Sequence, residues 1–156
     1  MNKFFSGLII FLSTGAFCGY VPVMPGTAGS IAGIGIYFLF SSCASWAYLL
    51  LTAIFVCSAI WVSGKAALIF KNNDPPAVVI DEIAGFLVTM ITFSPDWKYI
   101  IPGFILFRIM DIVKPYPANW INDNVHGGPG IVLDDVVAGV YANLVLQIVR
   151  LLVFFD

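Results

Sequence analysis

The chain has 156 residues, room for one domain and too little for two of comfortable size. Hydrophobic residues make up 60% and charged residues 10%, against about 25% charged in a soluble domain. A water-facing surface cannot be built all round from so few charges, so lipid must cover part of the exterior, and a net charge of −2 gives no sign of a nucleic-acid binder, which would need a basic patch.

Taken from the start, Lys3 followed by the apolar run Phe4 to Phe17 has the layout of a signal peptide, and Thr14-x-Ala16 is a passable cleavage site. A lipoprotein reading of Cys18 fails because Phe17 is not small. The segment 4–18 is expected to stay on the chain as an apolar element. Further apolar stretches follow at 30–41, 46–70, 78–94, 99–113 and 131–155. Asn72-Asn73-Asp74-Pro75-Pro76 breaks the chain, Ser94-Pro95-Asp96 turns it, and residues 114–130, with three prolines and three glycines, read as one long loop. A helix needs about 20 residues to cross about 30 Å of hydrocarbon. Only 46–70 and 131–155 reach that length, so the other helices are expected to be short or tilted, with polar ends in a wet cavity. The expected fold is all-α: a multi-pass membrane bundle, with residues 1–156 forming a single domain. Cys18, Cys43 and Cys57 fit no zinc or Cys-x-x-Cys spacing and are expected to be small buried residues.

Letting the helices alternate direction sorts the polar residues. Of the nine acids, Asp74, Asp81, Glu82, Asp111, Asp123, Asp134 and Asp135 fall on one side, together with the single histidine, His126. The alternation rule did not require that outcome, and it points to one site. Lys65, Lys71, Arg108 and Lys114 share this side, against Lys98, Arg150 and Lys3 opposite, so the polar side is expected to be cytoplasmic.

Two segments there are alike. Val78 to Gly85 and Ile131 to Gly139 each read three apolar residues, two adjacent acids, a short apolar gap and Ala-Gly. The small pairs would let helix backbones approach closely. Asp81, Glu82, Asp134 and Asp135 would then converge, and carboxylates at one depth repel unless a cation is present. Oxygen ligands alone suit a hard ion such as Mg²⁺. The plainer alternative, first-turn acids favoured by the helix dipole, accounts for one acid per helix better than for adjacent pairs. Arg108 and Asp111, three apart, share a helix face, with Lys114 at the helix end. Arg108 offers a fork and Lys114 a point charge for phosphate oxygens, although a local Arg–Asp pair with a snorkelling lysine is the competing view. Pro25-Gly26-Thr27 through Ser30 opens a helix whose backbone N–H groups could hold an anion, but it lacks a P-loop's Gly-Lys-Ser/Thr ending. A lone loop histidine such as His126 is more often solvated than catalytic. The sequence has no Cys followed at five residues by Arg, no Asp-x-Asp and no second histidine. For a phosphatase, metal-activated water would be the remaining nucleophile.

At these elements the sequence resembles the phosphatidylglycerophosphatase A family. The likeness rests on Val21-Pro22 to Thr27 with Gly29-Ser30, on Asp81-Glu82 to Gly85, and on Phe107-Arg108 to Asp111 with Lys114-Pro115 and Pro117. It continues through Val125-His126-Gly127-Gly128 to Asp134-Asp135 with Val137-Ala138-Gly139. The resemblance implies a Mg²⁺-dependent phosphatase of the bacterial cytoplasmic membrane that converts phosphatidylglycerophosphate to phosphatidylglycerol, with its site facing the cytoplasm. It further implies that Asp81, Glu82, Asp111, Asp134 and Asp135 hold metal and that Arg108 and Lys114 offset phosphoryl charge. Pro25, Gly26, Thr27 and Ser30 would help position the phosphate, and His126 would protonate the leaving oxygen. Membrane lipids and the lipid substrate are the implied partners, and nucleic acid is not one. Two other classes compete: a small cation channel or transporter lined by carboxylates, against which Arg108 and Lys114 argue, and a structural membrane subunit, which leaves the acid pairs unexplained.

Overall fold

The computed structural model describes residues 3–153, and among them the chain is wholly helical. The helices are α1 (Lys3–Ser13), α2 (Pro25–Ser41), α3 (Ser45–Phe70), α4 (Ile80–Thr89), α5 (Trp97–Val113), α6 (Ala118–Asn124) and α7 (Gly128–Val153), with a short 3₁₀ turn at Cys18–Tyr20. Helices α3 and α7 are long and apolar enough to cross a membrane, at about 39 Å each by helical rise.

Helix α4 forms the centre. Every residue of it except Glu82 is buried, and α2, α3, α5 and α7 pack around it. One apolar cluster joins Phe86 and Leu87 of α4, and Met90 just after it, to Tyr37, Tyr48, Phe107, Ala142 and Leu146. A second joins Ile80 and Ala84 to Ile9, Ala59, Val62, Ala66 and Val132. The exterior is also apolar: α5 exposes Ile101, Ile105, Ile109 and Ile112, and α7 exposes Val140, Leu144, Ile148 and Leu151. Spacings of three and four put each set on one helix face.

Helix α4 and helix α7 meet at their small residues. A β-carbon on Gly139 would lie 2.3 Å from the Gly85 carbonyl oxygen, and one on Gly85 would lie 2.6 Å from the Asp135 carbonyl oxygen. Only hydrogen fits in either place. The contact sets the distance between the two acid-bearing segments.

Several boundaries differ from the sequence reading. Helix α2 starts at Pro25 rather than residue 30, with the fixed φ of proline in its first turn. Helix α4 stops at Thr89 instead of running to 94. Its last carbonyls are taken by distant side chains: Tyr48 donates to Leu87 O, and the Asn143 amide donates to Thr89 O and Ile91 O. These bonds satisfy the orphan acceptors of a helix end in apolar surroundings. The expected loop 114–130 contains α6 and the first turn of α7, which begins at Gly128 against Ile60 and Gly64 of α3. The cysteines also depart from expectation: Cys43 and Cys57 are exposed and Cys18 is partly so, because an apolar exterior accepts such residues outside the core.

Gly139→Val should lower stability by about 1–3 kcal/mol or more, since the added methyls push α7 off α4. Thermal unfolding of the detergent-solubilised protein measures it, and Val140→Ala on the exposed face of the same helix should change little.

Candidate functional site

The start of α4, the start of α7, the end of α5 and the end of α6 meet around a cavity of about 340 Å³. Its walls carry Asp81, Glu82, Asp111, Lys114, His126, Asp134 and Asp135, with Pro25 and the 73–76 loop. Asp81, Asp134 and Asp135 are buried to 8%, 4% and 3% exposure.

The five acids divide into two kinds. Asp81, Glu82 and Asp135 each turn an oxygen into one cluster whose members lie within 4.8 Å of one another. The other two are each tied to a base. Arg108 donates to Asp111 at 2.6 Å. The Lys114 ammonium donates to Asp134 and also, at 2.9 Å, to the Asn122 side-chain oxygen. Burial opposes charge on Lys114, yet its hydrogen bond with Asp134 and the nearby carboxylates of Asp135 and Asp111 prevail, and its pKa is held above the ordinary lysine value. A raised lysine pKa contributes stability that is fully present below the unfolded value and fades as pH climbs past the folded one, so the ammonium is intact at neutral pH. Asp81 Oδ1, Glu82 Oε2 and Asp134 Oδ1 are buried without a hydrogen-bond partner among the described residues. Leaving carboxylate oxygens so is costly in a protein interior, and a cation among them removes the cost.

The remaining candidates sit further back. Gly26 packs so tightly that a β-carbon there would stand 2.2 Å from Glu82 Oε1 and 3.1 Å from both terminal nitrogens of Arg108. The start of α2 therefore backs the acid cluster. Ser30 is fully buried and donates to the Gly26 carbonyl within its own helix. Thr27 Oγ1 and Arg108 Nε are buried and unpartnered among the described residues. Of the proposed phosphate-positioning residues, Pro25 and Lys114 line the cavity, whereas Gly26, Thr27, Ser30 and Arg108 are not on its wall. Asp74, placed among the acids of the polar side, and Val125, part of the family likeness, also line it, as do Asn73, Pro76 and Asn122, to which the sequence reading gave no role in the site. The alternation argument had put the 72–76 break on the polar side, which was the available signal.

Acids, a lysine and a histidine around a cavity at the end of an apolar helical chain are the makings of a membrane-lipid phosphatase. Comparison with known proteins gives the same class. The chain belongs to the phosphatidylglycerophosphatase A family, whose sequence profile matches residues 11–150. It is 34% identical to the phosphatidylglycerophosphatase A of Escherichia coli K12, over 88% of this chain and 81% of that one. With the Haemophilus influenzae Rd protein of the same name it shares 33% identity over 86% of this chain and 84% of the relative. A Bacteroides thetaiotaomicron protein, provisionally named a phosphatidylinositol-3-phosphatase, is 36% identical over 93% of this chain and 95% of its own. No solved structure matches the chain.

Lys114→Met would leave Asp134 buried beside an empty partner position. Breaking a buried pair costs about 3–5 kcal/mol, but Lys114 is 30% exposed, which brings the expected loss to about 1–3 kcal/mol. The double variant Lys114→Met with Asp134→Asn should regain most of it, as a double-mutant cycle of melting temperatures would reveal.

Proposed function

We propose that the protein is a divalent-metal-dependent phosphatase of the bacterial cytoplasmic membrane, hydrolysing phosphatidylglycerophosphate to phosphatidylglycerol and phosphate. The observation that carries this reading is the grouping of Asp81, Glu82 and Asp135 within 4.8 Å, with Lys114 and His126 on the same cavity wall, in a chain of this family. The unpartnered carboxylate oxygens fit a hard cation, and Mg²⁺ is the ion their oxygen-only chemistry favours. Asp81, Glu82 and Asp135 would hold it, with Asp111 and Asp134 beside them. When bound, the ion would supply positive charge to polarise the phosphate ester and lower the pKa of water.

The chain's own residues would do the rest. Lys114 offsets charge growing on the phosphoryl oxygens. Arg108, behind Glu82 and paired with Asp111, holds the acid wall together and adds positive charge from the rear. The start of α2 keeps Glu82 in position, and Thr27 and Ser30 act through that backing. His126 protonates the leaving headgroup oxygen. A channel is the less favoured reading, because Arg108 and Lys114 are paired with two of the five acids that a cation path would need.

The whole chain, residues 1–156, acts as one membrane-embedded domain. Helices α2 and α5, with 17 residues each, reach about 26 Å and would cross with α3 and α7, and the basic residues near the site orient it to the cytoplasm.

The direct test is phosphate release by purified protein from phosphatidylglycerophosphate, with phosphatidylinositol 3-phosphate alongside, in chelator and after Mg²⁺ is restored. Chelation should abolish release and Mg²⁺ should return it. Asp81→Asn should cost orders of magnitude in rate with normal expression and membrane insertion. Full activity in excess chelator would remove the metal from the mechanism, and no release from any phosphorylated lipid would remove the phosphatase. Topology is checked by single-cysteine labelling in a background lacking Cys18, Cys43 and Cys57. Positions 73 and 122 should label from the cytoplasmic side and position 94 from the other.

A further inference from the structure

The segments around the cavity mouth differ in kind. Two segments that contribute lining residues are largely polar and exposed: the loop 72–76, Asn-Asn-Asp-Pro-Pro, and residues 122–126, Asn-Asp-Asn-Val-His, at the end of α6 and just beyond it. By contrast, the chain entering α2 reads Tyr20-Val21-Pro22-Val23-Met24, without one charged or amide side chain, and it is exposed: Val23 is 72% and Met24 58% accessible. It leads directly into Pro25, a cavity-lining residue. Helix α5 also ends in apolar residues, Ile112 and Val113, 68% and 66% accessible, followed by Tyr116 at 73%. These flank Asp111 and Lys114, which also line the cavity. The two apolar segments belong to neighbouring elements, since Gly26 of α2 meets the Arg108 guanidinium of α5.

Apolar residues exposed along the middle of a helix are explained by lipid alone. Apolar residues in the non-helical chain 21–24 and in the last turn of α5, beside a cavity whose other exposed segments are rich in asparagine and aspartate, are not. A lipid phosphatase has to admit a charged headgroup while its acyl chains stay in hydrocarbon, and a mouth with one apolar and one polar lip meets that need. Resting on the phosphatase reading, we propose that the seam between the start of α2 and the end of α5 is the lateral entry for the substrate lipid. The acyl chains lie against Val23, Met24, Ile112 and Val113, and the polar segments 72–76 and 122–126 form the aqueous side by which water enters and phosphate leaves. The occupant of the seam is the diacylglycerol part of a phospholipid.

The test compares a long-chain phosphatidylglycerophosphate in mixed micelles with a water-soluble short-chain form of the same lipid. Val23→Asp and Val113→Asp each set a charge against acyl chains. Either should lower kcat/KM on the long-chain lipid by about tenfold or more, chiefly through KM, and leave the short-chain substrate within about twofold of wild type, inside ordinary mutational scatter. Val23→Ser, a milder change, should give the same difference in smaller degree, and Val23→Leu should give none. Equal losses on both substrates would overturn the entry and make the seam structural, and unchanged activity on the long-chain lipid would overturn it as well. A wild-type protein that releases phosphate from neither substrate would overturn the phosphatase reading itself, a result distinct from both.

Discussion

Like charges gathered out of water are the constraint on which the rest of this structure depends. Asp81, Glu82 and Asp135 stand within 4.8 Å of one another in a chain that is mostly apolar. Nothing in their mutual electrostatics favours that arrangement. It is imposed by packing: α4 and α7 touch backbone to backbone at Gly85 and Gly139, and α4 is covered on all sides by other helices. The apolar core works against carboxylate repulsion, and the two bases relieve part of it by binding Asp111 and Asp134. The three acids to which no base is bonded among the described residues are the three that share one cluster.

The same constraint accounts for how α4 is built. With 10 residues it is only about 15 Å long. Its first turn opens into the polar cavity, while its last turn is buried among the other helices. A helix ending there cannot use water for its carbonyls, and Tyr48 and Asn143 reach in from α3 and α7 to bond them. The short helix, the wet cavity at its start and the side-chain caps at its end are parts of one solution.

Much of this was legible in the sequence. The acid pairs, the Ala-Gly steps after them and the gathering of acids on one side follow from residue order and helix alternation, and the structure brings those segments together. What was not legible depends on partners remote in sequence. The stop at Thr89 is made by residues about fifty positions away in α7. The division of five acids into three clustered and two paired is set by where Arg108 and Lys114 reach, which spacing along one helix does not encode. Helix α6, Ala-Asn-Trp-Ile-Asn-Asp-Asn, carries three asparagines of poor helix propensity between Pro117 and two glycines. Its packing on α7 overrides that local preference.

Lys114 has two jobs that pull apart. Its backbone ends α5 in the left-handed region, with φ 45° and ψ 64°, where a residue bearing a β-carbon gives up about 1–2 kcal/mol and glycine gives up nearly nothing. Its side chain supplies the ammonium that meets Asp134 and Asn122. Glycine would relax the turn and remove the charge, and no natural side chain improves both. The roughly 1–2 kcal/mol that glycine would return to the turn is offset by the about 1–3 kcal/mol lost when Asp134 is left buried without its base, so backbone strain and ion pair are bound up in a single residue and neither can be relieved without giving up the other.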